Sequence, residues 1–195
     1  MKPLLTATWS AVPRAIVPSG FAALDAQLPG GGWPHPALIE VLNERPGIGE
    51  LSLFLPALHS LSRLRERAII AWFNPPHLPY PPALAERGLA RVNLLVSKPF
   101  TAARTLWAME QALRSGACAA VLAWVDAANM HALRRLKLAA NAGQCFGLLF
   151  RSPRQRAHPS PATVRLMLST DEAILVVELL KVQGGKTATV RLGMK

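Results

Sequence analysis

The sequence predicts an α/β domain with a mostly parallel β-sheet, flanked by helices on both faces and extended by antiparallel C-terminal edge strands. Three observations predict it. Between residues 37 and 150, short apolar runs alternate with stretches of helical period. Each run is apolar on consecutive residues, which suits a strand covered on both of its faces. After residue 161 the alternation stops, and three strand-like segments follow one another joined only by turns.

Taken in order, residues 1–18 read as an irregular arm, broken by Pro3 and Pro13. Trp9 and the arm around it are suited to docking on a neighbouring chain or to a disordered tail. Residues 19–195 read as a single domain. Ser19 is placed to cap a short helix through Leu28, and Pro29-Gly30-Gly31-Gly32 ends it. Residues 37–42 form a first strand, and 50–64 a helix that Pro56 kinks or shifts. Residues 68–73 form a second strand. Five prolines stiffen the loop 74–82, and a short helix runs to Gly88.

The third strand is 92–97, and Thr101 caps a helix to Ser115 with Leu106, Met109 and Leu113 on its buried stripe. Residues 119–125 are a fourth strand, 128–142 a helix and 145–150 a fifth strand. Asp126 is the expected cap of that helix. Beyond the loop 151–161, strands are expected at 163–169, 174–181 and 187–192.

Composition narrows the class. The chain has 195 residues, of which 51% are hydrophobic, enough for one core and too apolar for general disorder. No apolar run reaches the ~18 residues of a membrane span, and residues 1–18 lack a signal-peptide core. A cytoplasmic protein is expected. Cys118 and Cys145 sit in apolar runs and read as buried thiols. His35, His59, His77, His131 and His158 show no metal-ligand spacing with Cys, Asp or Glu, so no metal or other cofactor is expected. The net charge of +11 is uneven, because residues 131–195 hold 11 Lys/Arg against 3 Asp/Glu. Such an excess suits an anionic partner, nucleic acid or an acidic protein face, and equally suits simple solubility.

One loop carries a chemical signal. The first strand leads through Asn43-Glu44-Arg45-Pro46-Gly47-Ile48-Gly49-Glu50-Leu51-Ser52 into a helix. Strand, glycine loop and helix is the setting of a P-loop, where backbone N–H groups hold phosphates, a Lys reaches them and a Ser/Thr holds Mg²⁺. Gly49 matches the glycine before that Lys, but Glu50 takes the Lys position and Leu51 the Ser/Thr position. A carboxylate about 4 Å from a phosphate oxygen costs on the order of 4 kcal/mol per unit charge at an effective dielectric near 20. Tight nucleotide binding is therefore not expected. An ordinary glycine turn without such ancestry would show the same residues. Gly184-Gly185-Lys186-Thr187 ends like a P-loop, yet no helix follows it, so it reads as a hairpin turn.

The order and spacing of these segments resemble the RecA core across residues 16–183. Ser19 to Asp25, the Gly-Gly turn, Ile39-Glu40-Val41, the stretch from His77 to Asn93-Leu94-Leu95, and Val164-Arg165-Leu166 carry the resemblance. It implies that Pro76 stands where the catalytic glutamate of RecA would be, and Trp124 where its metal-site aspartate would be. With Glu50 at the lysine position, three parts of an ATPase are missing, and a non-enzyme is expected.

The chain also resembles the ImuA proteins, a branch that includes the SulA cell-division inhibitors. Val17 to Asp25, Leu28-Pro29-Gly30-Gly31-Gly32-Trp33-Pro34, and the loop from Arg151 to Pro161 carry this likeness. It implies a non-enzymatic accessory of SOS-induced, error-prone translesion synthesis. The implied partners are ImuB, RecA and, indirectly, an error-prone C-family DNA polymerase. The alternative is a SulA-type inhibitor that binds the tubulin-like division protein.

Arg151, Arg154, Arg156 and His158 share the loop after the fifth strand, held open by Pro153, Pro159 and Pro161. In RecA the matching region touches single-stranded DNA, and arginine forks suit phosphate. The loop is therefore a candidate contact for single-stranded DNA or an acidic partner face, and a solvated loop is the plain alternative. Arg134, Arg135 and Lys137 face outward from the preceding helix and extend that patch or merely solvate the helix. Trp72 and Trp124, with Pro76 and Leu51, are expected to fill the space that nucleotide and Mg²⁺ occupy in relatives, or else to be core residues.

Overall fold

The computed structural model describes residues 15–64, 68–90, 92–98 and 101–193. Most of the expected arm, including Trp9, lies outside these residues. The end of that arm is a strand, β1 (Ala15–Val17), paired antiparallel with β2 (Trp33–His35). Three-residue strands, one of them containing Pro34, are too short to show a period.

Between them lies α1 (Ala22–Asp25), shorter than expected at both ends. Ser19 does not cap it. Gly20, at φ +85°, turns the chain between Ser19 and the helix, and the Ser19 hydroxyl instead accepts the Phe21 N–H at 3.1 Å. The Ser19 N–H donates to Asp25 Oδ1 at 2.9 Å, so the carboxylate ties the helix back to its own approach.

The chain continues as β3 (Ala37–Asn43), α2 (Glu50–Ser62), β4 (Ile69–Phe73), α3 (Pro81–Leu84), β5 (Asn93–Ser97), α4 (Ala102–Arg114), β6 (Cys118–Trp124), α5 (Met130–Ala142) and β7 (Phe146–Arg151). A 3₁₀ turn, Pro153–Ala157, precedes β8 (Val164–Asp171), β9 (Ile174–Val182) and β10 (Ala188–Gly193). These last eight strands form one sheet in the order β10-β9-β8-β3-β7-β6-β4-β5. From β8 to β5 every pairing is parallel, and β9 and β10 add antiparallel at one edge. This is the mixed α/β architecture expected, with one refinement: β8 belongs to the parallel part. The glycine pair at 184–185 turns β9 into β10, as the hairpin reading requires.

Burial explains why the central strands are apolar throughout. Ile39 and Val41, Ala120 and Leu122, and Phe146, Leu148 and Phe150 face one core with Leu53, Phe54 and Leu58 of α2. Leu38, Val121, Ala123 and Leu149 face a second core with Met109 and Leu113 of α4 and Leu133 and Leu136 of α5. Strand side chains alternate between faces, so both faces must be apolar when helices cover both. Phe54 anchors the first core, with ring centroids 5.1 Å from Trp33 and 6.3 Å from Phe150. Pro56 sits inside α2, which runs unbroken from Glu50 to Ser62.

Thr101 caps α4 as expected, its hydroxyl accepting the Arg104 N–H at 3.2 Å. Asp126 does not cap α5; Asn129 does, accepting the Ala132 N–H at 2.9 Å. Cys118 and Cys145 are both buried and form no disulfide. Among the described residues, no helix is long and apolar enough to cross a membrane, and no group of three or more His, Cys, Asp or Glu could hold a metal ion.

Candidate functional site

The glycine loop lies between β3 and α2, at the C-terminal edge of the parallel strands, where open α/β sheets present ligand sites. Gly49, at φ 103°, is the residue before the first turn of α2. Such a backbone is strained for any side chain with a Cβ. Glu50 opens the helix and is 3% exposed. Its side chain turns back into the loop, where Gly47 N–H donates to Oε1 at 2.9 Å and to Oε2 at 3.0 Å. A helix N-terminus and a loop N–H make an anion site, and here the anion is the protein's own carboxylate. Leu51 is half-buried and packs on the α2 core, offering no metal ligand.

Trp72 and Trp124 do come together, with ring centroids 5.6 Å apart. Trp124 stacks on Phe150 at 4.7 Å and 11°, directly across from it on the neighbouring strand. Pro76 is exposed in the loop beyond β4. The expectation that these residues fill a former nucleotide space is not met. An open cleft of about 520 Å³ remains beside the loop, lined by residues 45–49, Ser52 and the β8–β9 turn. None of Trp72, Trp124 and Pro76 borders it. Trp72 belongs to the core, and Trp124 is partly buried against it. The cleft also presents Glu172, a second carboxylate facing any phosphate.

The basic loop is organised differently from expectation. Arg151 is not a surface residue: its side chain is 3% exposed and its Nη1 donates to Glu40 Oε1 at 2.8 Å. Its other N–H groups donate to the carbonyls of Asp126 and Ala128 and to Gln155 Oε1. Arg165 lies on the other side of Glu40, Nε 3.0 Å from Oε2, with its side chain 8% exposed. Arg165 then donates to the carbonyls of Gln155, Arg156 and His158. Glu40 itself is fully buried. β3 lies between β7 and β8, so one carboxylate reaches an arginine on each neighbour. A buried charge needs such pairing. The consequence is that the loop backbone is pinned to the sheet instead of held open by its prolines.

Arg154, Arg156 and His158 remain at the surface. Arg156 is engaged, forming a two-pronged ion pair with Glu178 at 2.6 and 2.7 Å. That hydrogen-bonded carboxylate raises the guanidinium further above its ordinary range. Asp126 braces the start of the loop, accepting the Ser152 N–H at 3.0 Å. Its partial burial pushes the carboxyl up, but the Ser152 hydrogen bonds and the Arg151 charge outweigh this and hold it below its ordinary value of 3.8. On α5, Arg134 and Arg135 are exposed and Lys137 is half-buried, its Nζ 3.4 Å from Gln183 Oε1. Arg135 is ion-paired with Glu110 of α4.

Sequence reasoning missed the Glu40–Arg151–Arg165 cluster. Its signal is a lone Glu within the apolar run 37–42 and an Arg within an apolar strand, charges that must be paired if buried.

The family described as "Cell division inhibitor SulA" matches residues 38–147, more than half of the chain. A cell division inhibitor SulA from Edwardsiella piscicida is 36% identical over 100 residues, covering 51% of this chain and 58% of the relative. Protein RecA of Acidothermus cellulolyticus is 32% identical over 106 residues, covering 54% of this chain and 30% of the relative. The chain thus spans less than two thirds of either curated relative. The crystal structure of SulA from Pseudomonas aeruginosa aligns with 58% of this chain and 97% of its own, at 26% identity and a TM-score of 0.46.

Proposed function

The chain belongs to the cell division inhibitor SulA family, and from that premise we propose that it is a docking protein of the SOS response to DNA damage, without a catalytic step of its own. It uses a RecA-like core whose phosphate loop has become self-satisfied. The observation that carries this reading is the Glu50 carboxylate on the Gly47 N–H. A triphosphate entering there meets a fixed negative charge in place of a lysine, with Leu51 where Mg²⁺ needs an oxygen. Pro76 and Trp124, at the other two lost ATPase positions, supply neither a base nor a metal ligand.

The first form of the proposal is a SulA-type role in the cytoplasm, capping the tubulin-like division protein so that it cannot polymerise. The family match supports it. The test is sedimentation of the division protein with GTP. Equimolar addition of this protein keeps it in the supernatant; unchanged polymer pelleting at large excess rejects the role.

One observation favours a second form, the ImuA-type accessory of translesion synthesis. The family match ends at residue 147, whereas the chain continues through the pinned basic loop and β8–β10. That continuation carries the ImuA-like string from Arg151 to Pro161 and a basic excess of its own, 8 Lys/Arg against 3 Asp/Glu. In this form the partners are ImuB and RecA, the C-family polymerase through them, and single-stranded DNA through the loop. Co-purification with ImuB and RecA, with and without single-stranded DNA, tests it.

A further inference from the structure

The outer face of α4 and α5 carries exposed arginines, two of them fixed by one buried carboxylate. The two helices pack side by side, and a groove of about 270 Å³ runs between them. Leu106, Ala132 and Leu136 form its apolar floor, and Trp107 and Arg135 stand at its rim. Trp107 is 61% exposed. An isolated exposed apolar residue needs no explanation, but this one borders an apolar floor, beside charges that are held in place.

Glu110 supplies the holding. Its side chain is 6% exposed, and its two oxygens take Arg114 at 2.9 Å and Arg135. Two guanidiniums share one carboxylate, so the pair of arginines keeps a net positive charge. Both remain about half exposed, at 54% and 48%. Arg104 and Arg134 are exposed on the same two helices, and Glu110 is the only acidic residue on either. An arginine already fixed by a buried partner loses little freedom when it binds a second carboxylate.

We propose that the α4–α5 groove is a docking site for an acidic, amphipathic helical segment of a partner protein. Its apolar residues pack on Trp107 and the groove floor, and its carboxylates pair with Arg114 and Arg135. Charge complementarity selects the occupant. Trp and Arg are the side chains that dominate interface energies, and an apolar strip between helices is the receptor form for a helix. Single-stranded DNA fits less well. It needs successive stacking rings and a row of cations along the backbone, whereas the groove has two rings on different helices, Trp107 and His131, and a carboxylate at its base.

The inference rests on the protein-docking reading above and specifies a surface for it. The test is fluorescence anisotropy on the full chain. The probe is a labelled helical peptide of about fifteen residues, with Leu at i, i+3, i+4 and i+7 and Glu elsewhere. Its Glu-to-Gln twin and an oligodeoxythymidine of about fifteen nucleotides are the comparisons. The acidic peptide binds saturably, and the twin binds more weakly. Trp107→Ala weakens binding by roughly tenfold or more, with partial recovery in Trp107→Phe. Arg135→Gln weakens it and flattens the salt dependence. Arg191→Ala, on β10, changes nothing. Lack of saturable binding, indifference to Trp107→Ala, or tighter binding of the oligonucleotide through Trp107 overturns the proposal. Since the probe is synthetic, these failures leave the sedimentation and co-purification tests unaffected, and failure of those leaves groove binding measurable.

Discussion

Both carboxylate oxygens of Glu50 lie within 3.0 Å of the Gly47 backbone nitrogen. The loop that would present its N–H groups to a phosphate therefore folds around an internal anion. A glycine loop that merely lacked a lysine would be a weak phosphate site. A carboxylate in the site leaves a repulsive one, and the α2 dipole helps hold that carboxylate in place. Calorimetry with Mg-ATP should give no saturable heat for the native chain. Glu50→Ala removes a charge-assisted hydrogen bond and should cost about 1.5–3 kcal/mol. At roughly 2–4 °C per kcal/mol, this is visible in thermal unfolding. A variant as stable as the native chain would show that the interaction has no structural weight.

Glu40 is a stronger stability prediction. Neutralising it in Glu40→Gln leaves Arg151 and Arg165 buried without a counter-charge. Breaking one partner of a buried ion pair costs about 3–5 kcal/mol. Arg165→Met should also release the loop carbonyls of Gln155, Arg156 and His158. The combined Glu40→Gln, Arg165→Met variant should lose less than the sum of the two single changes, because residues in one network couple. Urea unfolding of the four proteins measures this directly, and simple additivity would contradict the network.

How much was legible beforehand depended on the range of each interaction. The sheet could be read because two-sided burial makes a strand apolar on consecutive residues, as in residues 119–123 and 146–150. Helix α4 could be read because its cap, Thr101, is local. Ser19 and Asp126 satisfied the same local rule and failed: the Ser19 hydroxyl is taken by the Phe21 N–H across the Gly20 turn, and Asp126 found Ser152 through tertiary geometry. The Glu40 cluster depends on β3 lying between β7 and β8, an order that linear sequence does not state. Neighbours in sequence therefore place Arg151 at the surface, whereas its neighbours in space bury it. In the glycine loop the sign of the charge was legible, but the direction in which the side chain turns was not.

Acid should loosen the start of the basic loop. The folded state holds the Asp126 carboxyl below its ordinary value of 3.8. A depressed carboxylate stabilises the fold above its unfolded value and loses that contribution as pH falls through the folded one. The Ser152 hydrogen bond should therefore be intact at neutral pH and weaken progressively below about 4. Asp126→Asn should lower stability at pH 7 and flatten the acid limb of unfolding between pH 5 and 2, recorded by circular dichroism. An unchanged acid limb would show that Asp126 is energetically idle.

The pinned loop also changes what a DNA-binding experiment can mean. Arg151→Ala should reduce any single-stranded DNA binding only by unfolding the loop, because its side chain is 3% exposed and occupied by Glu40. Arg156 must first leave Glu178 to reach a phosphate. Arg154 is exposed on the same turn, so it should reach the phosphate directly if the loop touches DNA. Removing one phosphate-binding cation reduces the slope of log affinity against log salt by about 0.7 for single strands. Arg154→Ala should therefore reduce the slope by about that amount with thermal stability unchanged. Glu178→Ala should strengthen binding by freeing Arg156 and removing a negative charge. If Arg154→Ala and Glu178→Ala both leave affinity and slope unchanged, the loop does not touch DNA, and its two buried arginines are there to hold its shape.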